Sequence, residues 1–332
     1  MLLALLSHTR STILDLLTHV NMLFKRLVLT PALTFAPIRA LASAFATPTP
    51  PLVSAAWLKD HCAAVKIVDA SWYLPAMGRN GHSEYSEQRI PGAVFFDIDA
   101  TDDCSDLPHM LPSEAFFSQA MGSCGVSNED HVVIYDGKGI FSAPRLWWML
   151  QAFGHDRVSV LDGGLPAWMR KGYPTELGPA AAPEAVSFSA RLRPSAVTDA
   201  AQVLAHVGSK STALIVDARP ANRFEGSAPE PRASCRSGHI PGSRNVPFVK
   251  LLDEATGTML PAEDLEKVFA AAGVDVHSET PIINSCGSGV TAAVVQLAMA
   301  RVGRVKRVSL YDGSWSEWGS DQSKPLATGP QM

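Results

Sequence analysis

The sequence predicts an α/β protein of two tandem domains, each an open, mostly parallel sheet flanked by helices. Three observations predict this: a length of 332 residues, an internal duplication at a near-constant offset, and short apolar runs alternating with helical stretches inside each copy. At roughly 150 residues per domain, the length suits two domains that each bury a sizeable core. In the duplication, Ile90-Pro91-Gly92 recurs as Ile240-Pro241-Gly242. Asp136-Gly137-x-Gly139 recurs as Cys286-Gly287-x-Gly289, and Leu161-Asp162-Gly163 with Trp168 as Tyr311-Asp312-Gly313 with Trp318, all displaced by 150 positions. Val68-Asp69-Ala70 matches Val216-Asp217-Ala218 at 148. Four matches in one order and near one offset mean two copies of one unit.

Within each copy, apolar runs at 65–70, 131–135 and 158–161, and at 214–218, 281–285 and 308–311, read as buried parallel strands. Helical stretches at 143–153 and 290–302 follow Gly-containing turns. The domains are expected at 51–175 and 196–325, with 176–195, rich in Ala and Pro, as the linker. In sheets of this kind a ligand site lies beyond the C-terminal ends of the strands, which is where Asp136 and Cys286 fall.

Residues 1–46 differ in composition: Arg10, Lys25, Arg26 and Arg39 stand against one acidic residue, Asp15, among Leu, Ala, Ser and Thr. That pattern reads as an organellar transit peptide, expected to be mitochondrial. Met22 is a candidate second start, giving a further cytoplasmic or plastid form. Hydrophobic residues make up 46% and charged residues 18%, and the formal net charge is −4. The acidic balance argues against a nucleic-acid binder. No run of ~18 apolar residues suggests a membrane span. The five cysteines, Cys62, Cys104, Cys124, Cys235 and Cys286, are widely spaced with no C-x-x-C. They read as reduced thiols, with neither a disulfide framework nor a zinc ribbon.

One cysteine stands in a chemically loaded context. In Cys286-Gly287-Ser288-Gly289-Val290-Thr291-Ala292 an apolar strand delivers the sulfur to a Gly-rich loop that opens a helix. Two glycines permit a tight curve with main-chain N–H groups pointing inward. Those donors and the positive end of the helix favour a thiolate, a competent nucleophile that can carry a second sulfur. The equivalent position in the first copy is Asp136, which cannot form a persulfide, so only the second copy is expected to be catalytic. Phosphoryl transfer by a C-x5-R loop is disfavoured, because the sixth position after Cys286 is Ala292 and the loop carries no positive charge. A non-enzymatic binding module remains a further reading.

From about residue 51 to 319 the chain resembles the tandem rhodanese family, and Cys-Gly-Ser-Gly-Val-Thr-Ala resembles the active loop of its 3-mercaptopyruvate sulfurtransferases. The thiosulfate-specific members usually carry two basic residues where Gly287 and Ser288 stand, so thiosulfate:cyanide sulfurtransfer is the alternative. The resemblance implies that Arg223 and Arg232 hold the substrate carboxylate. It implies that the amides of Gly287, Ser288, Gly289, Val290 and Thr291 hold the sulfur anion. It also implies a proton relay from Ser288 through His109 to Asp99, the last two contributed by the first domain. No metal or organic cofactor is expected. A thiol such as thioredoxin, or cyanide, is the expected acceptor. Arg89 replaces the His usual before Ile-Pro-Gly and is expected to be structural.

Overall fold

The computed structural model describes residues 49–102, 105–207 and 213–331; the expected leader 1–46, Met22 and Cys104 lie outside them. Two five-stranded sheets carry the chain. The first runs β1 (Leu52–Val53), β6 (Val158–Leu161), β5 (Val132–Tyr135), β2 (Lys66–Asp69), β4 (Val94–Phe95), with every neighbour parallel. The second runs β8 (Val197–Thr198), β12 (Val308–Tyr311), β11 (Ile282–Ser285), β9 (Leu214–Asp217), β10 (Arg244–Asn245), again all parallel. The orders match strand for strand, so the repeat in the sequence is a repeat of topology. An antiparallel pair, β3 (Gln88–Arg89) with β7 (Glu176–Leu177), flanks the first sheet, and a single bridge between His239 and Ala327 stands in the corresponding place of the second domain. Arg89 is buried there and donates to the Gly178 carbonyl, a structural role, as expected.

The helices are α1 (Ala55–His61), α2 (Gly81–Glu87), α3 (Glu114–Ser123), α4 (Ala143–Ala152) and α5 (Gly164–Arg170) in the first domain. The second has α6 (Ala200–His206), α7 (Ala221–Phe224), α8 (Ala262–Ala271), α9 (Val290–Arg301) and α10 (Ser314–Trp318). α4 and α9 are the twin helices that follow the central strands, and they pack against each other between the two domains. Both are almost wholly buried, and one apolar cluster runs through them from either domain. α9 is apolar all round because protein covers every side of it. Residues 176–195 are no free tether. Val186 donates to Gly122 O (3.0 Å), Arg191 to Phe153 O (2.9 Å) and Arg193 to Ala152 O (2.7 Å), and Phe188 inserts into the first core.

The helix starts reveal how the two domains diverge. α1, α3 and α6 open with ordinary side-chain caps from Ser54, Ser113 and Asp199. α4 and α9 have no such cap. Ahead of α4 the loop amides, up to the first helical residue Ala143, are satisfied instead by the carboxylate of Asp136, fully buried just after β5. Its Oδ1 accepts from Lys138 and Gly139 N–H (both 2.9 Å), and its Oδ2 from Phe141 (2.8 Å), Ser142 (3.0 Å) and Ala143 (2.9 Å). One anion thus occupies a cradle of five main-chain donors at a helix N-terminus.

Two predictions follow from the first domain. Replacing Asp136 by Ala strands five buried donors, and at ~1–3 kcal/mol for each unsatisfied group, partly relieved by water entry, the expected loss is about 3–5 kcal/mol. Urea unfolding reads it; a loss below ~1 kcal/mol would contradict the cradle's structural weight. The second concerns Asp69, which burial pushes from 3.8 up to about 6, against hydrogen bonds from Ser71 and Tyr135 that pull it down. The folded state therefore binds this proton more tightly than the unfolded chain. Stability from this group is greatest below pH ~4, falls as pH rises to ~6, and is flat above, a total of about 3 kcal/mol. Asp69→Asn keeps an acceptor for Ser71 N–H (2.9 Å) and should remove that decline. Parallel pH–stability curves for the two proteins between pH 4 and 6 would refute the assignment.

Candidate functional site

β11 ends at Ser285, and Cys286 follows as the first residue of the loop into α9, 2% exposed. Its N–H donates to Ser314 Oγ (3.3 Å), and its carbonyl accepts from Trp315 N–H (3.0 Å). The Gly287 carbonyl is held by Ser316 through both N–H (2.9 Å) and Oγ (2.6 Å). Gly289 sits at φ 81, the left-handed conformation that a glycine adopts without strain. Ser314 also lies at positive φ, 49°, where its twin is Gly164 at φ 54. The serine tolerates this because its hydroxyl donates to Tyr311 O (2.8 Å) and accepts from the cysteine's amide. The second domain therefore accepts backbone strain to fasten Cys286.

Charge reaches the loop from elsewhere in the fold. Arg219, at the end of β9, is 1% exposed and pairs with Asp217 (2.7 Å) and Glu230 (2.8 Å). Burial alone would lower its pKa; the charge and hydrogen bonds of Asp217, then the charge of Glu230, outweigh that and raise it. Arg223 in α7 is tied to the same buried Glu230 through Nε (3.2 Å) and Nη2. Its Nη2 lies 3.3 Å from where a Cβ on Gly287 would stand. Glu230 fixes one edge of this guanidinium and leaves Nη1 without a partner among the described residues. Arg232 is half-buried in the following loop, and its side chain makes no ion pair among the described residues.

The first domain contributes His109, buried at φ 63. Its Nδ1 is paired with Asp99 Oδ1, and Trp72 Nε1 donates to Asp99 Oδ2 (2.8 Å). Burial raises the Asp99 pKa, but the bond and charge of His109, the bond from Trp72 and the charge of Arg145 hold it below the usual carboxylate range. His109 Nε2 is buried without a hydrogen-bond partner among the described residues. Arg145 in α4 is fully buried and crosses into the second domain. Its Nη2 donates to Asp312 Oδ1 (2.6 Å) and to the His109 carbonyl, and its Nη1 lies 3.5 Å from Gly289 O.

The fold thus brings Asp99 and His109 together, and sets Arg223 beside Gly287. No hydrogen bond joins Ser288, itself 8% exposed, to His109 among the described residues. A cavity of about 300 Å³ lies not at Cys286 but in the first domain, lined by Tyr73, Arg79, Glu84 and Gly137. Arg79 there pairs with Glu84 (2.7 Å) and donates to the Gly137 carbonyl (3.2 Å), echoing Arg223, Glu230 and Gly287. Sequence reasoning missed Arg145, Arg219, Glu230 and Asp312. It read the loop as free of positive charge, whereas the fold supplies three arginines around it. The Asp-x-Arg spacing of Asp217 and Arg219 after a buried strand was the one local signal available.

Comparison with known proteins agrees with this architecture. A model of the rhodanese-like domain matches twice, at residues 54–171 and 199–321. The chain is 46% identical over 278 residues to the 3-mercaptopyruvate sulfurtransferase of Escherichia coli strain K12, covering 82% of this chain and 96% of that protein. It is 43% identical over 299 residues to the mitochondrial thiosulfate/3-mercaptopyruvate sulfurtransferase 1 of Arabidopsis thaliana, covering 83% and 78%. Among solved structures, the Tum1 protein of Saccharomyces cerevisiae aligns with a TM-score of 0.76 at 32% identity, covering 86% of this chain and all of that one. The crystal structure of the 3-mercaptopyruvate sulfotransferase SseA from Escherichia coli aligns at 0.71 and 44%, covering 80% and 99%. Two copies of one domain, a single cysteine-bearing loop and these relatives lead to one conclusion: the chain belongs to the rhodanese family and is a sulfurtransferase.

Proposed function

We propose that the protein takes sulfur from 3-mercaptopyruvate onto Cys286 and passes it to a thiol acceptor. The observation that carries this reading is the Asp136 cradle. Where the first domain fills five inward amides with a fixed carboxylate, the second has an equivalent but shorter loop with a sulfur at the anion's root, since α9 starts at Val290 and α4 only at Ala143. The amides of Gly287, Ser288, Gly289, Val290 and Thr291, in this loop and the first turn of α9, are its candidate donors. In the first domain the amide of Gly137, which follows Asp136 as Gly287 follows Cys286, donates instead to Ser71 Oγ (2.9 Å).

The thiolate of Cys286 attacks the substrate sulfur; an S–S bond forms and the C–S bond breaks. The electrons of the broken bond leave as the pyruvate enolate. The proton of the substrate thiol goes to the enolate carbon, giving pyruvate and an anionic persulfide held by the cradle. Ser288 and His109 Nε2 carry that proton on its way from the substrate thiol to the enolate carbon, and His109, its Nδ1–H braced by the ionised Asp99, ends neutral. Arg223 and Arg232 hold the carboxylate, Arg223 through the edge that Glu230 leaves open. A second thiol, for which reduced thioredoxin has suitable chemistry, attacks the outer sulfur and restores the thiolate. Thiosulfate is expected to be a poorer donor, because Gly287 and Ser288 supply no cation for a second negative charge. The leader at 1–46 and the mitochondrial relative support a mitochondrial location.

Cys286→Ser should abolish pyruvate release from 3-mercaptopyruvate and the gain of one sulfur atom on the Cys286 peptide seen by mass spectrometry. A serine variant that still turns over would sink the proposal. Arg223→Met should raise KM for 3-mercaptopyruvate by about 10–100-fold, the value of one charge-assisted hydrogen bond, with kcat changed only a few-fold. An unchanged KM in steady-state kinetics would remove Arg223 from the carboxylate site.

A further inference from the structure

We infer that Arg145 is a positioning residue of the first domain that sets His109 against the Cys286 loop of the second. The inference rests on the sulfur-transfer reading above and assigns a residue to which that reading gives no task.

The comparison between the two copies carries the argument. α4 and α9 are twins, and the position equivalent to Arg145 is Val295, apolar and fully buried. The helix packing therefore needs no charge at this position. Two loops cross the interface in pseudo-symmetric fashion, and a Met-Leu-Pro triplet marks both: Met110-Leu111-Pro112 and Met259-Leu260-Pro261. Each loop donates a main-chain N–H to the aspartate that ends the other domain's sheet. Leu111 donates to Asp312 Oδ2 (2.8 Å), and Met259 to Asp162 Oδ1 (2.8 Å). These two hydrogen bonds are alike in kind, although the donor is the second residue of the triplet in one arm and the first in the other. What distinguishes the first arm is His109 just before the triplet, and Arg145 beneath it. Asp162 makes no arginine ion pair among the described residues, whereas Asp312 does.

The guanidinium joins three things that the proposed reaction requires to stay in register. It grips the His109 carbonyl, holding that residue at a φ of 63° that a histidine seldom adopts. It pairs with Asp312, which also receives the next arm residue, Leu111. Its Nη1 stands 2.6 Å from where a Cβ on Gly289 would be, so the cradle loop itself is seated on it. Two carboxylates face this charge. One is Asp312 by direct contact, and the other is Asp99, whose ionised form Arg145 favours from a distance. A hydrophobic residue in its place could fill the space but could neither orient the arm nor touch the loop main chain.

The test uses the full chain with Arg145→Lys, Arg145→Met and Asp312→Asn, each checked for folding by circular dichroism, with Cys286→Ser in parallel. Pyruvate release gives kcat and KM; iodoacetamide alkylation of Cys286 gives the reactivity of the sulfur without turnover. A displacement of order 1 Å costs about 10²-fold, so Arg145→Met should lower kcat by roughly that factor with KM within about twofold, since the carboxylate arginines lie in the other domain. Arg145→Lys restores the charge without the forked geometry and should recover only part of the loss, and Asp312→Asn should lower kcat in the same direction. Folded Arg145 variants with wild-type kcat, or with a raised KM and normal kcat, overturn the inference while an inert Cys286→Ser leaves the sulfur-carrier reading standing. If Arg145→Met does not fold, the lysine and Asp312→Asn variants decide by the same criterion. An active Cys286→Ser overturns both.

Discussion

The structure depends on a single requirement: main-chain amides at the N-terminus of a buried helix need an anion. α4 and α9 start in the interior, where neither water nor an ordinary Ser or Asp cap serves their first turns. Five converging donors beside the positive end of a helix form a strong anion site in a low-dielectric setting. In the first domain evolution has filled it permanently with Asp136, and the result is a rigid, inert structural element. In the second domain the equivalent position is Cys286, whose chemistry is exchangeable. One architecture thus yields a keystone in one copy and a proposed reaction centre in the other, with Asp136 exchanged for Cys286 at the root of the loop.

That requirement also explains the placement of the two domains. For both cradles to be shielded from water, both helix starts must be covered, and the simplest way is to pack the twin helices on each other. The interface then lies directly at the cysteine loop, and groups from the first domain can reach it. Buried charge is the consequence. Arg145, Arg219 and Arg223 surround the loop, and Asp312, Asp217 and Glu230 neutralise them pairwise. An unpaired buried charge would cost several kcal/mol, so each arginine keeps a carboxylate partner. Arg232 has no such partner among the described residues, which suits the proposed task of meeting an anionic substrate.

The fold was legible because its signals are local and repeated. Val132–Tyr135 is a continuous apolar run and Ile282-Ile283 opens its counterpart, and the glycines that follow both strands mark the loops whatever the rest of the chain does. Cys286 was legible for the same reason, together with the aspartate in its twin. Arg145 was not: within Ala-Pro-Arg-Leu-Trp-Trp it reads as one charged residue on an apolar helix, and its partners lie 36 to 167 positions away in the chain. Glu230 is equally silent, being a loop glutamate until folding carries it between Arg219 and Arg223. The linker at 176–195 does lie between the two family matches, and composition is silent only on its course. Its Ala/Pro composition is that of a tether, yet its backbone groups are bonded to α3 and α4 and Phe188 fills the core. Composition reports what a segment lacks, and says nothing of the surface it lies on.

The identity of Gly287 ties the loop to the arginine beside it. Glu230 holds Arg223 by Nε and Nη2, and this turns the guanidinium so that Nη2 faces the main chain at Gly287, 3.3 Å from the missing Cβ. A long side chain at 287 would have to pass this contact, displacing Arg223 or breaking its hold on Glu230. The latter would leave a carboxylate that is 3% exposed with only Arg219 for company. A side chain at the start of the loop would therefore press on Arg223 in this pose and shift its guanidinium by a few tenths of an ångström. A donor that presents a single planar carboxylate suits the pose as it stands. A compact dianion would call for charge on the loop itself, in the space that Gly287 keeps clear for Arg223. Glu230, which touches neither the sulfur nor the proposed substrate, bears on the choice of donor only through the pose it gives Arg223.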